Sequence, residues 1–445
     1  MITEKEARAI VEAALARSKA DQTEVVLYGG DSALTRFANN YIHQNVAETN
    51  ISISVRTVFG KKIGIASLNS ITPDAIAKVV ETASTIASHQ VENPDFVSLP
   101  GPKGIPKASG FSDNTAAYTP EQRARDVGVI CRKASEKGLV ASGAYETSSS
   151  VLCVGNSLGT FGYAPSTMVT LNTVIMADSG SGYADYFTAD VGEVNIEALA
   201  DEACDKALRS RNPRDIQPGV YEVILEEPAV GDMVDFLAYL GLSALAVQEG
   251  RSFMNDKFGQ RIVGQNISLW DDGVGAGTVP MPFDFEGVPK QRVDFFVDGV
   301  ANAVCYDSYT AQREGKESTG HALPAGDAFG PMPLNMFLKP GDATKEEMLS
   351  STKRGIWVTR FHYTRHVHPL TVIVTGMTRD GTFWIENGEI AYPIKNLRFT
   401  QGYLEALNNV QMIGRSTKLV RELFPLNRVP ALKIGAFNFT GVTEF

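Results

Sequence analysis

Three histidines, His362, His366 and His368, sit close together and make up half of the six in the chain. In an extended strand, even spacing directs side chains to one face, and imidazoles sharing a face can hold zinc. The competing reading is a solvent-facing strand that carries His and Tyr with no metal. Gly155-Asn156-Ser157-Leu158-Gly159 spells a nucleophile elbow, whose serine needs a strand before it and a helix directly after it. The following residues, TFGYAPSTMVTLNTVIMA, are strand-like, so the segment reads as a hairpin turn. Gly273-Val274-Gly275-Ala276-Gly277 lacks the Lys-Ser/Thr of a phosphate loop and reads as a flexible loop. Glu226-Glu227-Pro228-Ala229-Val230-Gly231-Asp232 places acids and a proline where the orphan N–H groups of a helix start favour them, ahead of an apolar run to about Val247.

The elements around these residues predict an α+β chain. An N-terminal α/β domain covers residues 1–212, with a seam in the Pro/Gly/Ser-rich stretch 92–120. A largely antiparallel β domain, barrel- or sandwich-like with a few helices, covers 213–445. Amphipathic spacing predicts helices at the N-terminus, over Thr72–Ser88, Glu121–Lys137 and Val194–Ser210, and again near Leu404–Met412. ISISVRTVFGKKIGIAS alternates with period two about a Gly60-Lys61 turn, the pattern of a meander.

Composition narrows the function. A formal net charge of -10 without a basic stripe argues against a nucleic-acid partner. Cys131, Cys153, Cys204 and Cys305 are far apart and suggest neither disulfides nor a thiolate zinc cluster. The first helix interleaves charges with its apolar positions, unlike a secretion signal, and no apolar run suits a membrane span. These features predict a cytoplasmic protein without a membrane partner.

Several phrases, in order along nearly the whole chain, carry a more specific signal: RFANNYIHQN (36–45), VRTVFGKKIGIAS (55–67), ALRSRNPRDIQPGVYEVIL (207–225), FDFEGVPKQR (283–292), DSYTAQREGKESTGHA (307–322) and TGMTRDGTFWIENGEIAYPIKNLRFT (375–400). Together they resemble the TldD/PmbA family of peptidase subunits, and the chain looks like the PmbA (TldE) type. In the catalytic type the resemblance implies an H-E-x-x-x-H zinc motif at the start of the helix after Tyr221–Leu225. The aligned positions here are Glu227, Pro228 and Asp232, with no imidazole among them. The motif's glutamate would act as general base, which Pro228 cannot do. The catalytic type also uses a cysteine ligand near the C-terminus, but no cysteine lies in the aligned segment between Gly414 and Pro430; the last is Cys305.

The resemblance therefore implies a non-catalytic subunit with a degenerate metallopeptidase site, no catalytic residues and no cofactor of its own. Zinc is expected in a TldD-like catalytic partner, with unfolded or small peptides as substrates; a second copy of the chain is the other candidate partner. The alternative is a homodimeric peptide- or ligand-binding protein without hydrolysis, and a third reading is a hydrolase built on the histidine cluster. A dimer is expected, with the apolar helix and the aromatics Phe295, Phe296, Phe383 and Trp384 as its docking surface.

Overall fold

The structure is a computed structural model and describes residues 1–443. The first domain is a six-stranded sheet of β1 (Gln22–Ala38), β2 (Tyr41–Phe59), β3 (Lys62–Leu68), β4 (Val140–Asn156), β5 (Phe161–Met176) and β6 (Ser181–Thr188). Its spatial order is β3-β2-β1-β4-β5-β6, and every pairing is antiparallel. Period-two alternation sorts its residues between two faces. Val25, Leu27, Ile53, Val55 and Cys153 pack against α1 (Glu4–Arg17) and α2 (Pro73–His89). Further along the same face, Phe37, Tyr145, Val169 and Leu171 pack against two more helices. In chain order these follow the single turn α3 (Asp113–Ala116); they are α4 (Pro120–Glu136) and α5 (Ile196–Arg209). The opposite face places Val26, Leu152 and Val154 against Phe283 and Phe285 of the second domain.

Local chemistry sets the helix starts. Thr3 and Glu6 form a capping box at α1, as do Thr119 and Gln122 at α4, and α2 and α4 each carry proline in the first turn. The Pro/Gly-rich stretch between α2 and α3 is a strap across the domain seam. Gln312 Nε2 donates to the Ser98 carbonyl (2.8 Å), Lys103 pairs with Glu317, and the Thr167 amide donates to the Gly110 carbonyl (2.8 Å).

The second domain contains β7 (Gly219–Leu225), β8 (Leu269–Asp271), β9 (Val293–Val297), β10 (Val300–Ala301), β11 (Asn335–Leu338), β12 (Arg354–His368), β13 (Ile373–Glu386), β14 (Glu389–Pro393), β15 (Leu397–Gly402), β16 (Val410–Val420) and β17 (Leu426–Val442). Strands β7, β12, β13, β15 and β17 pair in a closed ring, because β17 returns to β7. The barrel alternative expected from the sequence is thus the one adopted. β11, β8, β9 and β10 extend from the first part of β17.

Helix α6 (Glu227–Gly241) follows β7 and packs against β12, β16 and β17. Every residue but Tyr239 is buried, Glu227, Asp232 and Asp235 included. At Gly231 a Cβ would lie 2.4 Å from Val420 Cγ2, so glycine is what allows β16 this close. The sequence expectation of one helix to Val247 is corrected here. The chain breaks at Leu242-Ser243, where the Cys305 amide donates to the Leu242 carbonyl, and a separate turn spans Ala244–Gln248. The helix expected over Leu404–Met412 ends at Asn408, and β16 begins at Val410. Phe295, Phe296, Phe383 and Trp384 are buried in the domain's own core, so they form no docking surface. Among the described residues, no helix is long and apolar enough to cross a membrane.

Candidate functional site

The start of α6 lies at the seam between the two domains. The Glu226 amide donates to the Val358 carbonyl (3.0 Å), which carries the β7–β12 ladder one residue beyond β7 before Pro228 turns the chain into the helix. Burial alone would raise the Glu226 carboxyl, but the ammonium groups of Lys206 and Lys345 and the hydrogen bonds it receives hold it down to about 2. Those bonds come from Lys206 Nζ on α5 (2.7 Å) and Trp357 Nε1 on β12 (2.6 Å). Glu227 accepts from Lys345 Nζ (2.7 Å).

One turn further, the environment changes. Asp232 accepts from Tyr403 Oη and Thr364 Oγ1, both at 2.7 Å, and among the described residues no cation contacts it. Burial pushes its carboxyl up to about 6 against those two bonds. Asp235 accepts from the Leu423 amide (2.7 Å) and Asn427 Nδ2 (2.6 Å), and burial takes it up to about 8. Glu422, in the turn between β16 and β17, rises to about 9 through burial and the nearby carboxylates of Asp185 and Asp232.

The first domain supplies the facing wall. Asp185 on β6 pairs with Lys418 on β16, and its Oδ2 has no hydrogen-bond partner. Arg360 on β12 donates to Asp380 at 2.7 Å and lies 4.3 Å above the Tyr183 ring, while Ser181 Oγ donates to the other Asp380 oxygen (2.6 Å). Glu226, Glu227 and Asp380 thus each accept from a cationic side chain, whereas Asp232, Asp235 and Glu422 lie above the usual carboxylate range. Lys206–Glu226, Asp185–Lys418 and Ser181–Asp380 tie the two domains together.

Of the residues singled out in the sequence, Glu227, Pro228 and Asp232 fall at this seam. The histidines do not join it. β12 carries a register shift between His362 and Arg365, with Tyr363 at φ 55°, so even spacing no longer fixes one face. This corrects the shared-face expectation for His362, His366 and His368. His362 is half-buried, and burial, reinforced by Arg379 and Arg360, lowers its pKa. His366 lies 6.0 Å from the Tyr239 ring, and His368 Nδ1 is 2.9 Å from Thr371 Oγ1. Among the described residues, no three of His, Cys, Asp and Glu are grouped so as to hold a metal ion.

Gly155–Gly159 is the β4–β5 turn, where Ser157 Oγ accepts from the Thr23 amide (3.0 Å), and no helix follows. The Gly273–Gly277 stretch is a loop whose last carbonyl accepts from Arg428 Nε (2.7 Å). Sequence reasoning missed Asp235, Glu422, Lys206 and Asp185. A signal existed for the first: two aspartates three residues apart in an otherwise apolar helix cannot both reach water.

This arrangement sits within a known family fold. Residues 218–441 match the PmbA/TldA metallopeptidase C-terminal domain, 116–211 the central domain and 23–87 domain 1. The chain belongs to the PmbA/TldA metallopeptidase family. It is 23% identical over 419 residues to the metalloprotease PmbA of Escherichia coli O157:H7, covering 90% of this chain and 89% of that one. It is 26% identical over 229 residues to a metalloprotease of Methanothermobacter thermautotrophicus, where the match spans 51% of this chain and 49% of the relative. Its fold is that of TldE from Thermococcus kodakarensis, with a TM-score of 0.87 at 18% identity, covering 98% of this chain and 99% of that one.

Proposed function

We propose that this chain is a TldE-type subunit without a zinc site of its own. It pairs with a TldD-like catalytic relative or a second copy, and helps enclose unfolded or small peptides for that partner's zinc chemistry. The observation that carries the reading is the state of the α6 start. Glu227 is committed to Lys345, Pro228 offers no group to take a proton, and both Asp232 oxygens accept from hydroxyls. These residues do not fit zinc. The four cysteines, all free and buried, accord with a reducing, cytoplasmic location.

The test is metal analysis of the purified chain together with a peptidase assay, run with and without a zinc-bearing relative. The expected result is no stoichiometric zinc and cleavage only in the mixture. One tightly held zinc per chain, or chelator-sensitive cleavage by the chain alone, would overturn the reading.

An open cleft of about 750 Å³ at the barrel rim favours the alternative of a binding protein without hydrolysis. It presents Gln401, Asn438, Thr400 and Glu405 beside Ile373 and Leu404. Peptide binding by the isolated chain that is lost on Gln401→Ala, with no cleavage in any mixture, would select that alternative.

A further inference from the structure

Where the strap crosses between the two domains it covers a cavity of about 210 Å³. Arg56, Ile63 and Ile65 of β2 and β3 form one wall. Glu286, Asp307 and Ser308 of the second domain form another, and Phe96 and Leu99 of the strap close it. The strap is pinned from both sides, since the Asn93 amide donates to the Lys61 carbonyl (2.9 Å) and the Val97 amide to Gln312 Oε1 (3.2 Å). The volume falls below the roughly 300–1,000 Å³ of a drug-sized site and suits a molecule no larger than a single amino acid.

The polar groups on these walls are not all matched. Arg56 gives Nη2 to Glu24 (2.7 Å) and to Glu286 (3.1 Å), while its Nε is buried without a hydrogen-bond partner among the described residues. Ser308 is only 8% exposed. Its amide donates to Glu286 Oε2 (3.0 Å), but its hydroxyl has no partner among those residues. Buried donors in that state call for an acceptor. Beside them, Asp307 commits Oδ1 alone, to the Thr310 amide (2.7 Å) and hydroxyl (2.6 Å). Burial, and after it the Glu286 carboxylate, raise the Asp307 pKa, as for a carboxylate short of countercharge.

Charge narrows the occupant. A lone anion would meet Arg56 but also Glu24, Glu286 and Asp307, three carboxylates around one guanidinium. A lone cation would answer Asp307 and leave the Arg56 and Ser308 donors unmatched. A zwitterion meets both demands, and the adjacent positions 307 and 308 hold the carboxylate and the hydroxyl side by side. We propose that this cavity is a binding site for a single free α-amino acid with an aliphatic side chain. Its carboxylate accepts from Arg56 and the Ser308 hydroxyl, its ammonium faces Asp307, and its side chain lies against Ile63, Ile65, Phe96 and Leu99. A ligand seated here touches both domains and the strap, so binding tightens the seam. The site needs no catalytic relative, and its test is independent of the metal and peptidase tests above.

The experiment is calorimetric titration of the purified full chain with L-leucine, with isoamylamine, which lacks the carboxylate, and with 4-methylpentanoate, which lacks the ammonium. The variants are Ser308→Ala and Asp307→Asn; asparagine also caps a helix, so the second keeps the turn at Thr310. The expected result is saturable one-to-one binding of leucine, with each analogue and each variant weaker by about tenfold or more, as for the loss of one hydrogen bond to a charged group. Circular dichroism should be unchanged in both variants. If a variant fails to fold, the wild-type chain decides, through the two analogues and through leucine-dependent protection of the amides of residues 95–99. Absence of leucine binding at millimolar concentration, an analogue that binds as tightly as leucine, or unchanged leucine binding in either folded variant would each overturn the proposal. So would protection confined to segments away from the strap.

Discussion

The first and second turns of α6 are equally buried, yet their carboxylates behave in opposite ways. Glu226 is held down to about 2, whereas Asp232 and Asp235 rise to about 6 and 8. Burial raises all three, so it does not make the difference. What differs is the partner: Glu226 has ammonium groups from two other elements, while the aspartates receive only neutral hydrogen bonds. Neutral donors stabilise a buried carboxylate but do not replace a countercharge. The start of α6 is thus a charged clamp between domains, while the turn after it carries two carboxyls raised above the ordinary range.

Removing the countercharge should give the largest effect. Lys206→Met leaves Glu226 buried with the Trp357 hydrogen bond and the Lys345 ammonium as its remaining support, and breaking a buried pair in this way typically costs up to about 3–5 kcal/mol. Denaturant unfolding at pH 7 should show a loss of that size. A loss under about 1 kcal/mol would mean that Glu226 is not an ion-pair partner in solution.

Asp232→Asn tests the other half with the opposite sign. The folded chain keeps a proton on Asp232 until about pH 6, while the unfolded chain releases it near the ordinary carboxyl value. Stability from this group is therefore full below that ordinary value, falls as pH rises through the window, and levels above about 6. The asparagine keeps both hydrogen bonds, since Thr364 and Tyr403 hydroxyls can rotate, and removes the titration. Relative to wild type, the variant should gain on the order of 2 kcal/mol between pH 4 and pH 8. Parallel unfolding curves of the two proteins over that range would show that Asp232 titrates normally.

The smallest effect is expected away from the seam. His368 is exposed and its ring is hydrogen-bonded to Thr371, so His368→Ala should change stability by less than about 0.5 kcal/mol and leave the metal content as it was. Loss of a bound metal would return the histidine cluster to consideration.

What the sequence made legible was local. Thr72-Pro73 announces α2 through its cap, and the alternation around Gly60-Lys61 announces the β2–β3 meander. The 155–159 motif could be judged a turn because no helix pattern follows it. At the site, the positions of Glu227, Pro228 and Asp232 were legible through resemblance, but their partners were not. Lys206, Lys345, Thr364 and Tyr403 are distant in sequence and arrive only through the packing of α5, the short helix Lys345–Ser350, β12 and the region after β15. Phe383-Trp384 was read as a docking surface because aromatic composition does not distinguish a core from an interface; the ring of strands that buries it depends on non-local pairing. The β12 bulge was hidden for a related reason, since nothing in FHYTRHVH signals the left-handed Tyr363.

The return of β17 to β7 also sets a timetable. The partners Leu225 and Leu432 are roughly 200 residues apart, so at ordinary synthesis rates the ribosome needs about 10–40 s between them. During that interval β7 and the apolar α6 have left the ribosome with the barrel still open. The six-stranded sheet, complete by Thr188, has by then every strand it needs. Assembly in the cell thus runs from the amino-terminal sheet to a late-closing barrel, and the most hydrophobic helix of the chain waits longest for cover.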